Sequence, residues 1–139
     1  MNEVTVTSLK NLQNEVTYGD GRTFVIDEPA SVGGEGAGPD PYSLILAALG
    51  GCTSMTVMMY ARRKEWKLER VSVKLSQQRI HAKDCHDCDT ETDGFIQRIE
   101  RKVTLEGDLS EEQRKRLMEI SRLCPVHKML TSHIVIKDA

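Results

Sequence analysis

Two cysteines carry the residue chemistry most able to do redox work in this chain. Cys52 lies inside Pro41–Ala61, a run with no charged residue, and Cys124 stands before proline in Leu123-Cys-Pro-Val-His127. A thiolate is the nucleophilic form of cysteine, and neighbouring charge decides how much of it forms. Two thiols within reach of each other can pass through thiolate, sulfenate and disulfide. Cys52 falls mid-helix, where the helix dipole gives little help, so a cation or a hydrogen-bond donor must reach it. Arg22, beside the Asp20-Gly21 turn, is the candidate activating cation, because arginine stays charged when buried. Cys124 reads as the end of a later helix, where the dipole disfavours a thiolate. That asymmetry makes Cys52 the candidate attacking sulfur and Cys124 the candidate resolving sulfur. The same two residues also fit an ordinary core, since free cysteine is among the most buried residue types.

A third motif is His81-Ala-Lys-Asp-Cys-His-Asp-Cys88. His81, Cys85 and Cys88 have a spacing that can place three ligands around zinc, whereas a structural zinc takes four. Asp84, His86, Asp87, Asp89, a partner-chain side chain or water would complete the set. A metal-storage or chaperone role would follow from such a site. The Cys-x-x-Cys pair also fits a redox-active or regulatory disulfide, and the whole motif fits a solvated hairpin loop with incidental thiols. His127 follows Cys124 closely enough to tune it, and equally fits a structural histidine.

The elements that must position these residues are legible from periodicity. Val4–Thr7 alternates as a strand. Asn14–Tyr18 and Thr23–Asp27 flank Asp20-Gly21, a strong hairpin signal. Ser31–Gly38 holds four glycines in eight residues and predicts a mobile loop. Asp40 is a good N-cap and Pro41 a good first residue for a helix running to about Lys64. Val71–Ser76 and Phe95–Leu105 alternate, with Phe95, Ile99, Val103 and Leu105 on one face and the polar residues between them facing water. Ser110 and Gln113 have capping-box spacing and open a second helix. Leu117, Ile120 and Cys124 then fall on its buried stripe. His133–Lys137 reads as a last strand. The order βββαββαβ predicts an α+β domain with a mainly antiparallel sheet, one long buried central helix and a second helix.

The length of 139 residues fits one domain, residues 1–139. With 19 basic and 21 acidic side chains, no basic excess points to nucleic acid. The N-terminus lacks a signal-peptide pattern, and Pro41–Ala61 reads as a core helix rather than a membrane span, because Gly50, Gly51 and several hydroxyl residues interrupt it. Four cysteines without an export signal read as cytoplasmic thiols. A helix that is apolar all round needs cover on all sides. One sheet and one amphipathic helix leave part of it bare, so a homodimer is expected to complete the core.

Several segments together resemble the osmotically inducible protein C/organic hydroperoxide resistance (OsmC/Ohr) family. They are Asp27-Glu-Pro29, Gly33-Gly34, Gly38-Pro-Asp-Pro-Tyr42, Leu46-Ala-Ala-Leu-Gly-Gly-Cys-Thr53, Glu106-Gly-Asp-Leu-Ser110 and Cys124-Pro-Val-His127, in the family's order over nearly the whole chain. The resemblance is to the OsmC-like branch more than to the Ohr branch. It implies an α+β fold built as an intertwined homodimer. It implies a cysteine peroxidase acting on organic hydroperoxides, with Cys52 peroxidatic, Cys124 resolving, Arg22 activating and a dithiol such as a lipoyl group as reductant, with no cofactor required. The family's glutamate, expected near Tyr42 or Ser43, is missing, and Glu35 and Asp40 are the nearby acids. Its absence leaves a second reading open: a non-enzymatic dimer that binds a small molecule or senses redox state through the same pocket.

Overall fold

A computed structural model describes residues 2–86, 88 and 94–139. The chain forms two compact units, Met1–Ile45 and Leu46–Ala139.

The first unit is an antiparallel sheet of β1 (Val4–Ser8), β2 (Asn14–Tyr18) and β3 (Arg22–Ile26), in that order. The Gly19–Gly21 turn sets Tyr18 opposite Arg22 and packs the Tyr18 ring edge-on against Phe24, 5.8 Å away. The glycine-rich stretch after it, expected as a mobile loop, is instead tied down. Asp27 is buried and accepts hydrogen bonds from the backbone N–H groups of Glu28 (2.8 Å), Glu35 (3.1 Å) and Ala37 (3.1 Å). The Ala37 N–H is the largest influence holding this carboxyl below its ordinary value; burial opposes it, and the Glu28 and Glu35 N–H groups and Lys10 reinforce it. Gly34 passes so close to the Glu28 carbonyl that an added Cβ would lie 1.8 Å from its oxygen. A carboxylate therefore organises the segment that leads into the long helix α1 (Pro41–Arg63). Asp40 caps that helix through the Ser43 backbone N–H and the Ser43 hydroxyl, as its sequence position predicts.

The second unit carries most of α1, the hairpin β4 (Lys67–His81) and β5 (Phe95–Asp108), and helices α2 (Glu111–Ser121) and α3 (Pro125–Leu130). Alternation works as expected through most of the hairpin. Val71 pairs with Leu105, Val73 with Val103 and Gln77 with Ile99, and all these residues are at least half-buried. Phe95 keeps the register of Ile99, Val103 and Leu105 but is exposed at the far end of the hairpin. Gly50 lets α1 approach β4, since a Cβ there would lie 2.7 Å from Leu75 Cδ1. Val57, Ala61 and Leu117 form the core cluster, with Tyr60, Trp66, Leu68, Val71, Leu105 and Leu109 packed on it. The Ser110–Gln113 capping box forms in full. Arg114 then donates to the carbonyl oxygens of Leu105 and Gly107, both at 2.9 Å, and pins α2 to the end of β5.

Two expectations fail at the C-terminus. Helix α2 stops at Ser121, and a separate short helix begins at Pro125. His133–Lys137 is not a strand, and Ile134, Val135 and Ile136 are exposed. Strand-prone side chains cannot make a strand without a neighbour to take their backbone hydrogen bonds. Among the described residues, α1 alone is long and apolar enough to cross a membrane by length and composition. Only 28% of its most apolar window is buried within this chain, so much of its apolar surface is left uncovered.

Candidate active site

Within the second unit, α1, α3 and β5 bring five side chains together. Cys52 and Thr53 are consecutive, about 100° apart around the helix axis, so only one can point fully inward. Thr53 takes that place and is completely buried, while Cys52 stays partly accessible. Cys124 is also completely buried. Both cysteines are free thiols, and the Cys52 thiol is close enough to help lower the Cys124 thiol.

The position of Cys124 corrects its expected setting. It does not close α2. It is the N-cap of α3, with extended backbone (φ −66, ψ 139), and its sulfur accepts the His127 backbone N–H at 3.3 Å. The proline that stops one helix starts the next, because its fixed φ and missing N–H suit the first helical position. Sulfur takes the role usually filled by a serine or aspartate oxygen. The local backbone therefore favours a Cys124 thiolate rather than opposing it.

Thr53 supplies a second donor. Its hydroxyl lies 2.7 Å from the Leu49 carbonyl oxygen and 3.6 Å from Cys124 Sγ. One hydroxyl has one proton, so it serves either the carbonyl or the sulfur. An ionised sulfur makes the stronger acceptor. Arg101, from β5, completes the group. Its Nη1 donates to Thr53 Oγ1 at 2.9 Å and its Nη2 lies 3.2 Å from His127 Nδ1. Burial pushes the Cys124 thiol up, but the Thr53 hydroxyl, the His127 N–H, the Cys52 thiol and the Arg101 charge together bring it below its ordinary value.

His127 is read from the same geometry. A guanidinium has donors only, so Nδ1 accepts and the ring is neutral with its proton on Nε2. Burial first, then the Arg101 charge, holds His127 below the ordinary histidine value of 6.5. The stability from this neutral ring is therefore present above 6.5 and lost as pH falls through the lower folded value. Cys124 adds a contribution of the same sign, present above the ordinary thiol value of 9.0 and lost as pH falls through its own folded value. Melting temperature should therefore drop as pH is lowered from neutral. It should drop less in His127→Gln, whose amide oxygen can accept from Arg101 without titrating. Equal drops in the two proteins would show that His127 does not carry the acid sensitivity.

The site opens on a cavity of about 340 Å³ lined by Leu49, Gln97, Ile99, Arg101, His127, Leu130 and Thr131. Its apolar side suits a hydrocarbon group, and its polar side presents donors. A larger groove of about 720 Å³ runs past Met59, Tyr60 and Leu123, and neither cavity has a thiol in its lining.

The other expected site residues stand elsewhere. Arg22 is exposed on β3 in the first unit, and the cation that the second unit itself brings to its thiols is Arg101. Glu35 accepts from Gln13 Nε2 at 2.7 Å and Asp40 caps α1, so both substitute acids are engaged within the first unit. The zinc expectation for His81, Cys85 and Cys88 is corrected by chemistry. Cys85 and Cys88 form a disulfide, which removes both thiolates that a metal would need, and the His81 ring accepts the Lys83 N–H at 3.2 Å. No group of potential ligands for a metal is assembled among the described residues. Asp87 and Asp89, named as possible fourth ligands, lie outside the described residues.

Sequence reasoning missed Arg101 and Thr53. Arg101 had a signal: it occupies the inward register of β5 between Ile99 and Val103, where alternation calls for an apolar residue. Thr53 had only its place beside Cys52.

Comparison with known proteins agrees with this fold. No curated protein matches the sequence. An OsmC like protein from Mycoplasma pneumoniae superposes with a TM-score of 0.72 at 17% identity, over 95% of this chain and 88% of the other. An organic hydroperoxide resistance protein OsmC from Legionella pneumophila gives 0.66 at 19%, over 95% and 90%. The organic hydroperoxide resistance protein OhrB of Bacillus subtilis gives 0.61 at 21%, over 95% and 91%. The sequence pattern of the family described as OsmC-like protein matches residues 34–137. With that match over most of its length, the chain belongs to the OsmC-like protein family.

Proposed function

We propose that this protein is a thiol-dependent peroxidase that reduces organic hydroperoxides through Cys52 and Cys124. The observation that carries the reading is the Cys124 sulfur, set among Thr53, the His127 N–H and Arg101 with the Cys52 thiol close by. The accessible sulfur attacks, and the buried one serves it. A Cys124 thiolate takes the Cys52 proton as Cys52 Sγ attacks a peroxide oxygen. The O–O bond breaks, the departing alkoxide takes the proton back from Cys124 and leaves as the alcohol, and Cys52 becomes a sulfenic acid. The Cys124 thiolate then attacks Cys52 Sγ and closes a disulfide, and the hydroxide it expels takes a proton from solvent and leaves as water. A dithiol, such as a lipoyl group, returns both thiols by exchange through a mixed disulfide. No cofactor is needed for any of these steps. The structural likeness to the Legionella and Bacillus proteins, both named organic hydroperoxide resistance proteins, supports the substrate class. The cavity beside Arg101 and His127, with Leu49, Ile99 and Leu130 in its lining, is compatible with an organic group next to the site.

The working form is a cytoplasmic homodimer in which a second copy covers the exposed apolar residues of α1, among them Met55 and Met59. Sedimentation at micromolar concentration should give a dimer; a folded, soluble monomer there would refute this assembly. The same pocket in a protein that binds or senses without turnover is the competing reading, favoured by the local engagement of Glu35 and Asp40. Steady consumption of cumene hydroperoxide with dihydrolipoamide, faster than that of hydrogen peroxide, is expected of the peroxidase. A single stoichiometric oxidation with no turnover would favour the sensor.

A further inference from the structure

Among the described residues, the β4–β5 ladder closes without help from the disulfide at its tip. The ladder below it is complete: His81 pairs with Phe95, and the Ala82 N–H reaches the Gly94 carbonyl at 2.8 Å beyond that pair. The strand ends are fixed further by ring contacts. The Phe95 ring meets the His81 ring edge-on at 5.3 Å, and the Arg79 guanidinium lies over it at 4.2 Å. A 3-10 turn, Ala82–Asp84, capped by the His81 side chain and closed by the Cys85 N–H on the Ala82 carbonyl, leads into the bridge. The bridge joins residues separated by three in sequence. Stabilisation by a cross-link grows with the loop it closes, so so short a loop gives the least. Cys88 is exposed, and exposed disulfides are those open to exchange. Cys52 and Cys124 remain free thiols in the same chain.

We propose that Cys85 and Cys88 form a second thiol–disulfide exchange site, distinct from the Cys52 centre, that accepts electrons from dithiols. A thiolate of the dithiol attacks the exposed Cys88 Sγ. The Cys85–Cys88 bond breaks, Cys85 leaves as a thiolate, and a mixed disulfide forms on Cys88. The second thiol of the reagent attacks its own sulfur in that mixed disulfide and expels the Cys88 thiolate. The dithiol is oxidised to its internal disulfide, the bridge gains two electrons, and the two thiol protons pass to Cys85 and Cys88. A monothiol is a poor reductant here, because Cys85, three residues from Cys88, can attack the mixed disulfide and reclose the bridge. The substrate class is therefore a dithiol, small or carried by a protein.

The test uses Cys52→Ser/Cys124→Ser, which keeps the loop pair alone and separates this site from the peroxidase reading. Full-length protein purified without reductant is exposed to dihydrolipoamide, to reduced thioredoxin or to glutathione at equal thiol concentration, then alkylated and mapped by peptide mass. The dithiols should open the bridge at least about tenfold faster than glutathione, and removal of reductant with a mild oxidant should close it again. Reaction with dihydrolipoamide alone assigns a small dithiol, and reaction with thioredoxin as well admits a protein one. A bridge that stays closed to both dithiols in folded protein, or that opens equally fast with glutathione, overturns the proposal. If the double variant does not fold, the same mapping on wild-type protein follows the peptides of Cys85 and Cys88 directly, with the same two results deciding.

Discussion

Cys52→Ser is expected to abolish turnover, with peroxide consumption falling at least about a thousandfold, the scale set by removing a covalent nucleophile. Cys124→Ser is expected to differ in kind. The hydroxyl can still cap α3 through the His127 N–H, so the fold should persist. It cannot accept the Cys52 proton as a thiolate does, and it cannot resolve a sulfenic acid. The first oxidation should therefore be slow, and it should leave Cys52 trapped as sulfenic acid or its over-oxidised products. Rapid mixing with peroxide, followed by trapping with a sulfenate reagent, distinguishes the two variants. Sustained turnover in Cys124→Ser would show that resolution does not need Cys124.

The second large effect is at Arg101. Its charge lies among Thr53, His127 and Cys124. Methionine at this position keeps much of the length and removes both charge and donors. Hydrogen bonds to charged groups contribute about 1.5–3 kcal/mol, so peroxide reduction should slow by about tenfold to a hundredfold. The titration of Cys124, followed by thiolate absorbance in a Cys52→Ser background, should move up in pH. Arg101→Lys should recover part of the loss, since it restores charge without the two-pronged contact. A Cys124 titration unmoved by Arg101→Met would remove this arginine from the account, and Arg22→Met, tested in parallel, would then show whether the first unit supplies the cation.

Much of this arrangement was written in local sequence. Asp40-Pro41 and the charge-free run that follows it specify α1 almost to the residue, because a cap, a first-turn proline and the terminal Arg62 and Arg63 all agree. The Ser110–Gln113 box places the start of α2 for the same reason. The β4–β5 hairpin follows from alternation. What failed was non-local or ambiguous. Pro125 carries two meanings, helix stop and helix start, and only the second gives Cys124 its N–H donor. Asp27 looks like the last residue of a strand, and nothing nearby reveals that it binds amides eight and ten residues later. Arg101 was hidden because charged residues on alternating strands are assigned to water, whereas its place between Ile99 and Val103 is the inward one. The His133–Lys137 run has strand-forming residues, but strand formation depends on a neighbour that local sequence does not name.

The most direct measurement is the covalent state of the two thiols after a single oxidation. Fully reduced protein is treated with one equivalent of cumene hydroperoxide, alkylated, digested without reductant and mapped by mass. The account predicts a peptide pair joined through Cys52 and Cys124, with one equivalent of alcohol released. Both cysteines recovered as alkylated thiols, with the peroxide unconsumed, would contradict it.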